Sequence, residues 1–245
     1  NKSAAKKGCC NLGKLGVIGG MGPMATQVLY KEIIERTDVK CDQEHIDMII
    51  LSHASMPDRT AAIKSGNTHE VFANLLADAK MLENNGVDAI AIPCNTSHFF
   101  WKPLQAEIEV PIINMVRCTV ERIKKENPSI KKVGLLATDG TVYTGIYNKE
   151  CEKLGIECVA PEEDIQKIVM DIIYNQIKIG EKGSMEDFMK IDSYLKKAGC
   201  EAAILACTEL SCFREFHALD SFYTDAMEVL CEEAITRCGG KLKKK

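Results

Sequence analysis

The sequence has no apolar run approaching the roughly 18 residues that a membrane span needs. The N-terminal stretch Asn1–Asn11 lacks the apolar core of a secretion signal. Positive charge is not in excess either, since 31 basic residues stand against 35 acidic ones and the net charge is −4. These absences argue against a membrane span, a secretion signal and a nucleic-acid surface. We therefore expect a cytoplasmic protein that binds neither membranes nor nucleic acid.

Cysteine is plentiful, but it lacks the clustering that metal sites and disulfide frameworks show. The chain of 245 residues has 12 cysteines and no CxxC pair. Zinc needs clustered ligands, and the spacing of Cys94 and His98 supplies two at best. Disulfide frameworks are typical of short secreted chains. We expect no metal and mostly buried free thiols.

Short aliphatic runs alternate with amphipathic stretches of helical length, which predicts an α/β fold with parallel sheets. Strands are expected near Leu15–Gly19, Ile46–Ser52, Ala89–Ile92, Ile112–Asn114, Val133–Ala137, Glu157–Val159 and Ala202–Ala206. Helices are expected near Ala25–Arg36, Thr68–Asn84, Val116–Lys125, Thr144–Leu154, Asp164–Ile179, Ser184–Lys197 and Asp225–Arg237.

The two halves of the chain resemble one another, which indicates an internal duplication. Leu15–Gly22 parallels Val133–Gly140, and Ala89–Thr96 parallels Ala202–Glu209. The seam falls in the charged stretch Glu126–Lys132, which holds Pro128. We expect two pseudosymmetric domains: one of residues 13–115 joined by a C-terminal helix over residues 221–238, the other of residues 116–220.

Cys94 and Cys207 occupy matching positions in the two halves, each at the end of an apolar strand. Ligands of parallel sheets bind beyond the carboxyl ends of strands, so pseudo-twofold packing would bring both thiols to one cleft. Each cysteine precedes an expected helix start, which favours the thiolate. One thiolate and one thiol on opposite faces suit racemisation of a carbon next to a carboxylate. The alternative is a pair of buried structural cysteines.

Four motifs carry a resemblance to a known family. They are Gly19–Pro23, Pro93–Thr96, Ala137–Thr141 and Ala206–Leu210. In this order and spacing the set resembles the aspartate/glutamate racemase family, from about Leu15 to Arg237.

The resemblance implies a two-domain fold, commonly dimeric, with neither pyridoxal phosphate nor metal, and with catalytic cysteines at Cys94 and Cys207. It also implies that Asn95, Thr96 and Thr208, with the main-chain N–H groups beside them, hold the α-carboxylate and amino group of the substrate. The substrate-binding residues expected in the cleft walls are Met21, Gly22, Asn95, Thr96, Thr138, Thr141, Thr208 and Glu209.

Two further segments, Pro57–Thr60 and Tyr174–Gly180, resemble the aspartate-specific branch. The resemblance implies that Arg59 and Lys178 bind the side-chain carboxylate of aspartate from mobile loops. A guanidinium can bind a carboxylate bidentately, and an ammonium adds a point charge. Lys178 could instead complement a helix C-terminus, and Arg59 could be structural.

Other interpretations stay open at this point. Gly20–Ala25 fits the dinucleotide pattern G-x-G-x-x-A, but Ser52 and His53 stand where a ribose ligand would be needed. His98 could tune Cys94 or simply pack, and Glu209 could bind an ammonium group or brace its loop. The glutamate-specific branch carries an aspartate-serine pair where this chain has Gly19–Met21, which favours aspartate.

The same fold also serves broad-specificity and glutamate racemases, maleate isomerases, hydantoin racemases and arylmalonate decarboxylases. A different class altogether is an inactive amino-acid-binding protein. In heavy water a two-cysteine racemase should place deuterium at Cα of the product, and substitution of either cysteine should abolish racemisation, which separates it from the enzymes with other reactions. Aspartate binding without any loss of optical rotation would favour the binding protein.

Overall fold

The computed structural model describes residues 12–244. The stretch Asn1–Asn11, where we expect no secretion signal, lies outside the described residues, as does Lys245 of the basic tail. Within residues 12–244, no helix combines the length and the apolar character that crossing a membrane requires.

The first half contains a parallel sheet of β1 (Leu15–Gly19), β2 (Met48–Ser52) and β3 (Ala89–Ala91) in the order β2-β1-β3. All five residues of β1 are buried, as expected for a central strand. The strand expected at Ile112–Asn114 is reduced to one parallel bridge between Ile112 and Ile90.

The second half repeats this arrangement with β4 (Lys132–Leu136), β5 (Glu157–Val159), β6 (Ala202–Leu205) and β7 (Tyr223–Asp225). The order is β5-β4-β6-β7, and all pairs are parallel. Strand β7 stands where the Ile112 bridge stands in the first half. The two sheets therefore share one topology, as the expected duplication requires.

Eleven α-helices flank the two sheets within the described residues. In the first half they are α1 (Pro23–Arg36), α2 (Arg59–Ser65), α3 (His69–Asn84), α4 (Trp101–Gln105) and α5 (Met115–Glu126). Then follow α6 (Asp139–Thr144), α7 (Ile146–Lys153), α8 (Glu163–Asp171), α9 (Met185–Lys197), α10 (Thr208–Arg214) and α11 (Ala226–Arg237).

The helix expected over Asp164–Ile179 changes form along its length. Helix α8 ends at Asp171, a π-helical turn covers Ile172–Gln176, and a 3₁₀ turn covers Ile177–Ile179. Gly180, with φ +95°, ends the segment. Such π-helical insertions are frequent at functional sites.

The C-terminal segment, expected to join the first half as a helix over residues 221–238, divides between the halves. Residues 223–225 form β7 in the second sheet, and α11 begins at Ala226. Helix α11 then packs against α1 and α5, and the Cys231 thiol lies 3.8 Å from the carbonyl oxygen of Leu29.

The ten cysteines between residues 12 and 244 are free thiols, and eight of them are buried. They pack mainly as small apolar side chains in the core that the helices and sheets share.

Candidate active site

Cys94 and Cys207 lie at the carboxyl ends of corresponding strands, as expected. Cys94 follows β3 after two residues, and Cys207 follows β6 after one. Both thiols line one small cleft between the halves. They are 5% and 6% exposed, respectively, so a small molecule in the cleft would contact both largely away from water.

Most of the residues expected to form the site line this cleft. They are Met21, Arg59, Cys94, Asn95, Thr96, Thr138, Lys178, Cys207, Thr208 and Glu209. Thr141 lies behind the wall and reaches it through Thr96. Gly22 lies beside Glu209, since a Cβ added there would be 3.4 Å from the Glu209 Oε1 atom.

Gly20 is required by the backbone that surrounds it. Its φ is +87°, and an added Cβ would be 2.5 Å from the backbone of His53. The glycine therefore lets the loop after β1 pass close to the loop after β2.

Arg59 begins α2 and is held at the cleft by backbone carbonyls. Its Nη1 donates to Pro57 at 3.0 Å and to Met56 at 3.3 Å, and its Nη2 donates to Met21 at 3.3 Å. Its Nε is buried and has no partner. The Nε edge of a guanidinium is one of the edges that bind a carboxylate bidentately.

The guanidinium of Arg59 also lies beside the Cys94 thiol. Burial lowers the pKa of Arg59, but an ionised Cys94, which would hydrogen-bond to it, and Asp58 outweigh this effect and raise that pKa above its ordinary value. Arg59 thus places a positive charge beside the Cys94 thiol.

Lys178 lies in the 3₁₀ turn and pairs with Glu209 across 2.7 Å. Burial lowers the pKa of Lys178, but the charges of Glu209 and of an ionised Cys207 raise it to about 12. The ammonium also lies 5.4 Å from the ring centre of Tyr174. Its contacts are thus side chains of the cleft.

Glu209 in turn accepts a hydrogen bond from the Cys207 thiol at 2.9 Å. Burial, and then the negative charge of Glu209, raise the pKa of Cys207 well above its ordinary value, although Lys178 acts in the opposite direction. The Glu209 N–H at the start of α10 lowers the pKa of Cys207, as expected for a helix start, but burial and the Glu209 carboxylate outweigh this effect.

Threonine hydroxyls join the two halves behind the thiols. Thr96 Oγ1 lies 2.9 Å from the hydroxyl oxygens of both Thr138 and Thr141. From the second half, the Thr208 hydroxyl donates to the carbonyl of Pro93 in the first half at 3.2 Å. These contacts fix the separation of the loops that carry Cys94 and Cys207.

His98 contacts the backbone of Cys94. Its Nδ1 lies 2.9 Å from the Cys94 carbonyl oxygen, while its Nε2 accepts from the Met115 N–H at 3.2 Å. Burial lowers the pKa of His98, so a neutral ring with the proton on Nδ1 satisfies both contacts. His98 thereby stabilises the loop that carries Cys94 through a contact with its backbone.

Three residues line the cleft that the sequence analysis did not assign: Asp58, Thr60 and Tyr174. The Tyr174 hydroxyl donates to Asp58 Oδ2 at 3.0 Å and lies 3.3 Å from Thr60 Oγ1. It thereby bridges the two halves at the cleft. Asp58 and Tyr174 belong to the segments already singled out, but their sequence positions do not reveal this pairing.

Among the described residues, no three His, Cys, Asp or Glu side chains are grouped so that they could hold a metal ion. The cleft instead offers two thiols, the carboxylates of Asp58 and Glu209, and cationic and neutral hydrogen-bond donors. This set can exchange protons with a small anionic molecule.

The fold and the site define a class of α/β proteins: two pseudosymmetric parallel sheets with paired cysteines in the cleft between them. More narrowly, the sequence model of the Asp/Glu/Hydantoin racemase family matches residues 18–234, so the chain belongs to this family.

Solved and curated relatives agree with this assignment. The structure of the Picrophilus torridus aspartate racemase is 30% identical, with a TM-score of 0.79 over 95% of this chain and 96% of that chain. The broad specificity amino-acid racemase of Bacillus subtilis is 30% identical over 149 residues, 59% of this chain and 63% of that protein. The glutamate racemase of Aquifex pyrophilus is 27% identical over 164 residues, 64% of this chain and 59% of that protein. The chain thus matches less than two thirds of the length of these two curated relatives.

Proposed function

We propose that this chain is a cofactor-independent aspartate racemase in which Cys94 and Cys207 exchange the α-proton from opposite faces. The observation that carries the proposal is that both thiols line one small cleft together with the unpaired Nε of Arg59. Family membership supports the reaction class. The 30% identity with the Picrophilus torridus aspartate racemase, which covers nearly all of both chains, supports the substrate.

In the proposed mechanism Cys94, which lies beside the cationic Arg59, starts as the thiolate. Cys207, whose thiol donates to the Glu209 carboxylate, starts as the thiol. In one direction the Cys94 thiolate removes the α-proton, and the Cys207 thiol donates its proton to the opposite face. One proton enters the enzyme and one leaves it, so the two cysteines finish with exchanged protonation states.

The reverse direction starts from that exchanged state. Cys207 is then the thiolate, and the neighbouring Lys178 offsets its charge. The coupled thiols titrate as a pair, so the pH dependence of the rate reports on both.

Substrate binding follows from the cations and hydrogen-bond donors that line the cleft. Arg59 presents its Nε to the side-chain carboxylate, and Lys178 adds positive charge nearby. Asn95, Thr96 and Thr208 lie next to the thiols and hold the α-carboxylate and amino group. Hydrogen bonds to the α-carboxylate also stabilise the charge that develops there as the proton leaves.

The decisive experiment incubates the purified protein with L-aspartate, without added cofactor, and follows D-aspartate by chiral chromatography. In heavy water the product enantiomer should carry deuterium at Cα. Comparing kcat/KM for aspartate, glutamate and alanine then measures specificity. Equal values for aspartate and alanine would favour a broad-specificity racemase, and aspartate binding without any D-aspartate would favour an inactive binding protein.

The proposal extends to a cytoplasmic homodimer, as the resemblance to the family implies. Sedimentation of the purified protein measures its mass in solution against the 27.1 kDa of one chain. A single species at the mass of one chain would contradict the dimer.

A further inference from the structure

Asn95 lies in the cleft wall directly after Cys94, and its amide is held from one side. The side chain is 2% exposed, and Oδ1 accepts a hydrogen bond from the Tyr147 hydroxyl at 2.5 Å. The Nδ2 atom is buried without a partner. A buried amide nitrogen without a partner is costly, which indicates a ligand that accepts its hydrogen bond.

Tyr147 reaches this amide from the other half of the molecule. It is the second residue of α7, which starts immediately after the positive-φ Gly145. Its side chain is fully buried in the core, and it does not line the cleft. Burial raises the pKa of Tyr147 well above its ordinary value, so the phenol stays neutral and remains a donor.

We infer that Tyr147 is a positioning residue: its hydroxyl donates to Asn95 Oδ1 and thereby directs Nδ2 into the cleft, where it binds a substrate carboxylate. This inference rests on the proposed function and extends it to a residue outside the cleft. Without the phenol, the amide can rotate by 180° and place Oδ1 against the carboxylate. Two acceptors facing each other would weaken binding.

The first test measures binding of succinate, a dicarboxylate without an amino group, by calorimetry. Tyr147→Phe keeps the ring and removes the hydroxyl, and we expect succinate to bind about tenfold more weakly. The matched control is Tyr223→Phe. Tyr223 is also buried, and its hydroxyl donates to Asp192 at 2.7 Å, away from the cleft. This control should leave succinate affinity unchanged, although it removes a comparable buried hydrogen bond.

A double-mutant cycle separates positioning from a general loss of structure. In an Asn95→Ala background, Tyr147→Phe should leave succinate affinity as it is, because no amide remains to be oriented. Thermal unfolding, measured in parallel, reports on packing alone. An equal loss of affinity with and without the Asn95 amide would overturn the inference.

Contact between the Asn95 side chain and the ligand carboxylate is tested with Asn95→Asp. If the two are in contact, a negative charge at this position should weaken succinate binding further than Asn95→Ala does. Binding equal to or tighter than that of Asn95→Ala would mean that no carboxylate lies against this side chain, and would contradict the inference.

These outcomes are independent of catalysis. A wild-type protein that forms no D-aspartate contradicts the proposed function, yet the succinate cycle still decides whether Tyr147 positions Asn95. Failure of the wild-type protein to bind succinate would overturn the inference directly.

Discussion

The loops after β3 and β6 share one backbone plan but have opposite electrostatic surroundings. Cys94 lies beside the guanidinium of Arg59, whereas the Cys207 thiol donates to the carboxylate of Glu209. The duplication therefore supplies matching positions for two thiols, and their neighbouring side chains differ in charge. In the proposed mechanism this difference lets Cys94 start as the base and Cys207 as the acid.

The largest expected effect comes from removing either member of the pair. Cys94→Ser and Cys207→Ser should each lower the racemisation rate by at least ~10³-fold, because each loses the general acid or base of one face. Chiral chromatography of D-aspartate measures the rate. A Cys207→Ser enzyme that racemises normally would refute the two-base mechanism.

Arg59→Ala should have the next largest effect, and it should depend on the substrate. We expect the KM for aspartate to rise ~10²-fold, since a buried charge pair with the side-chain carboxylate is lost. The KM for alanine, which has no such carboxylate, should change far less. Equal increases for both substrates would show that Arg59 does not determine specificity.

Glu209→Gln should make the surroundings of Cys207 more like those of Cys94. The carboxylate raises the pKa of Cys207, so its removal lowers that pKa. Cys207 would then lose its proton at lower pH, and the alkaline limb of kcat/KM should move down by about one pH unit.

A matched control is Glu215→Gln, which removes a carboxylate that follows the same helix and pairs with Lys31. This control should leave the alkaline limb in place. An unmoved limb in Glu209→Gln itself would mean that Glu209 does not tune Cys207.

Tyr174→Phe should have the smallest effect, since it breaks only the bridge from Tyr174 to Asp58 and Thr60. The ring beside Lys178 remains, and we expect kcat/KM for aspartate to fall about threefold, the size of one lost hydrogen bond. Tyr143→Phe, at a tyrosine that is 72% exposed, serves as the control. A loss as large as that of Arg59→Ala would mean that Tyr174 does more than join the halves.

The sequence pattern was sufficient to predict the duplication, because apolar strands that end at matching cysteines recur in both halves. It was insufficient for β7, because Tyr223–Asp225 contains no aliphatic residue and pairs with β6 only through tertiary packing. Ile112 shows the opposite error, since an apolar run there forms one bridge rather than a strand.

The residues of the site likewise fall into those that the sequence predicted and those that it did not. Motif resemblance located the two thiols and Arg59, because these residues lie within short contiguous segments. It could not show that Lys178 pairs with Glu209, or that Tyr147 holds Asn95, since these partners are 31 and 52 residues apart in sequence. Such contacts depend on how the halves pack, and no local pattern reports on them.

Helix α11 follows the second sheet in the chain but packs against helices of the first half. The chain leaves the second sheet through β7 and returns to cover the apolar side of α1, where Leu29 and Ile33 are buried. Cleavage of the chain near Pro128 would therefore leave both fragments incomplete. The first would lack the packing of α11 on α1, and the second would lack the packing of α1 on α11. Although the two halves repeat one another, neither half alone completes the packing around α1 and α11.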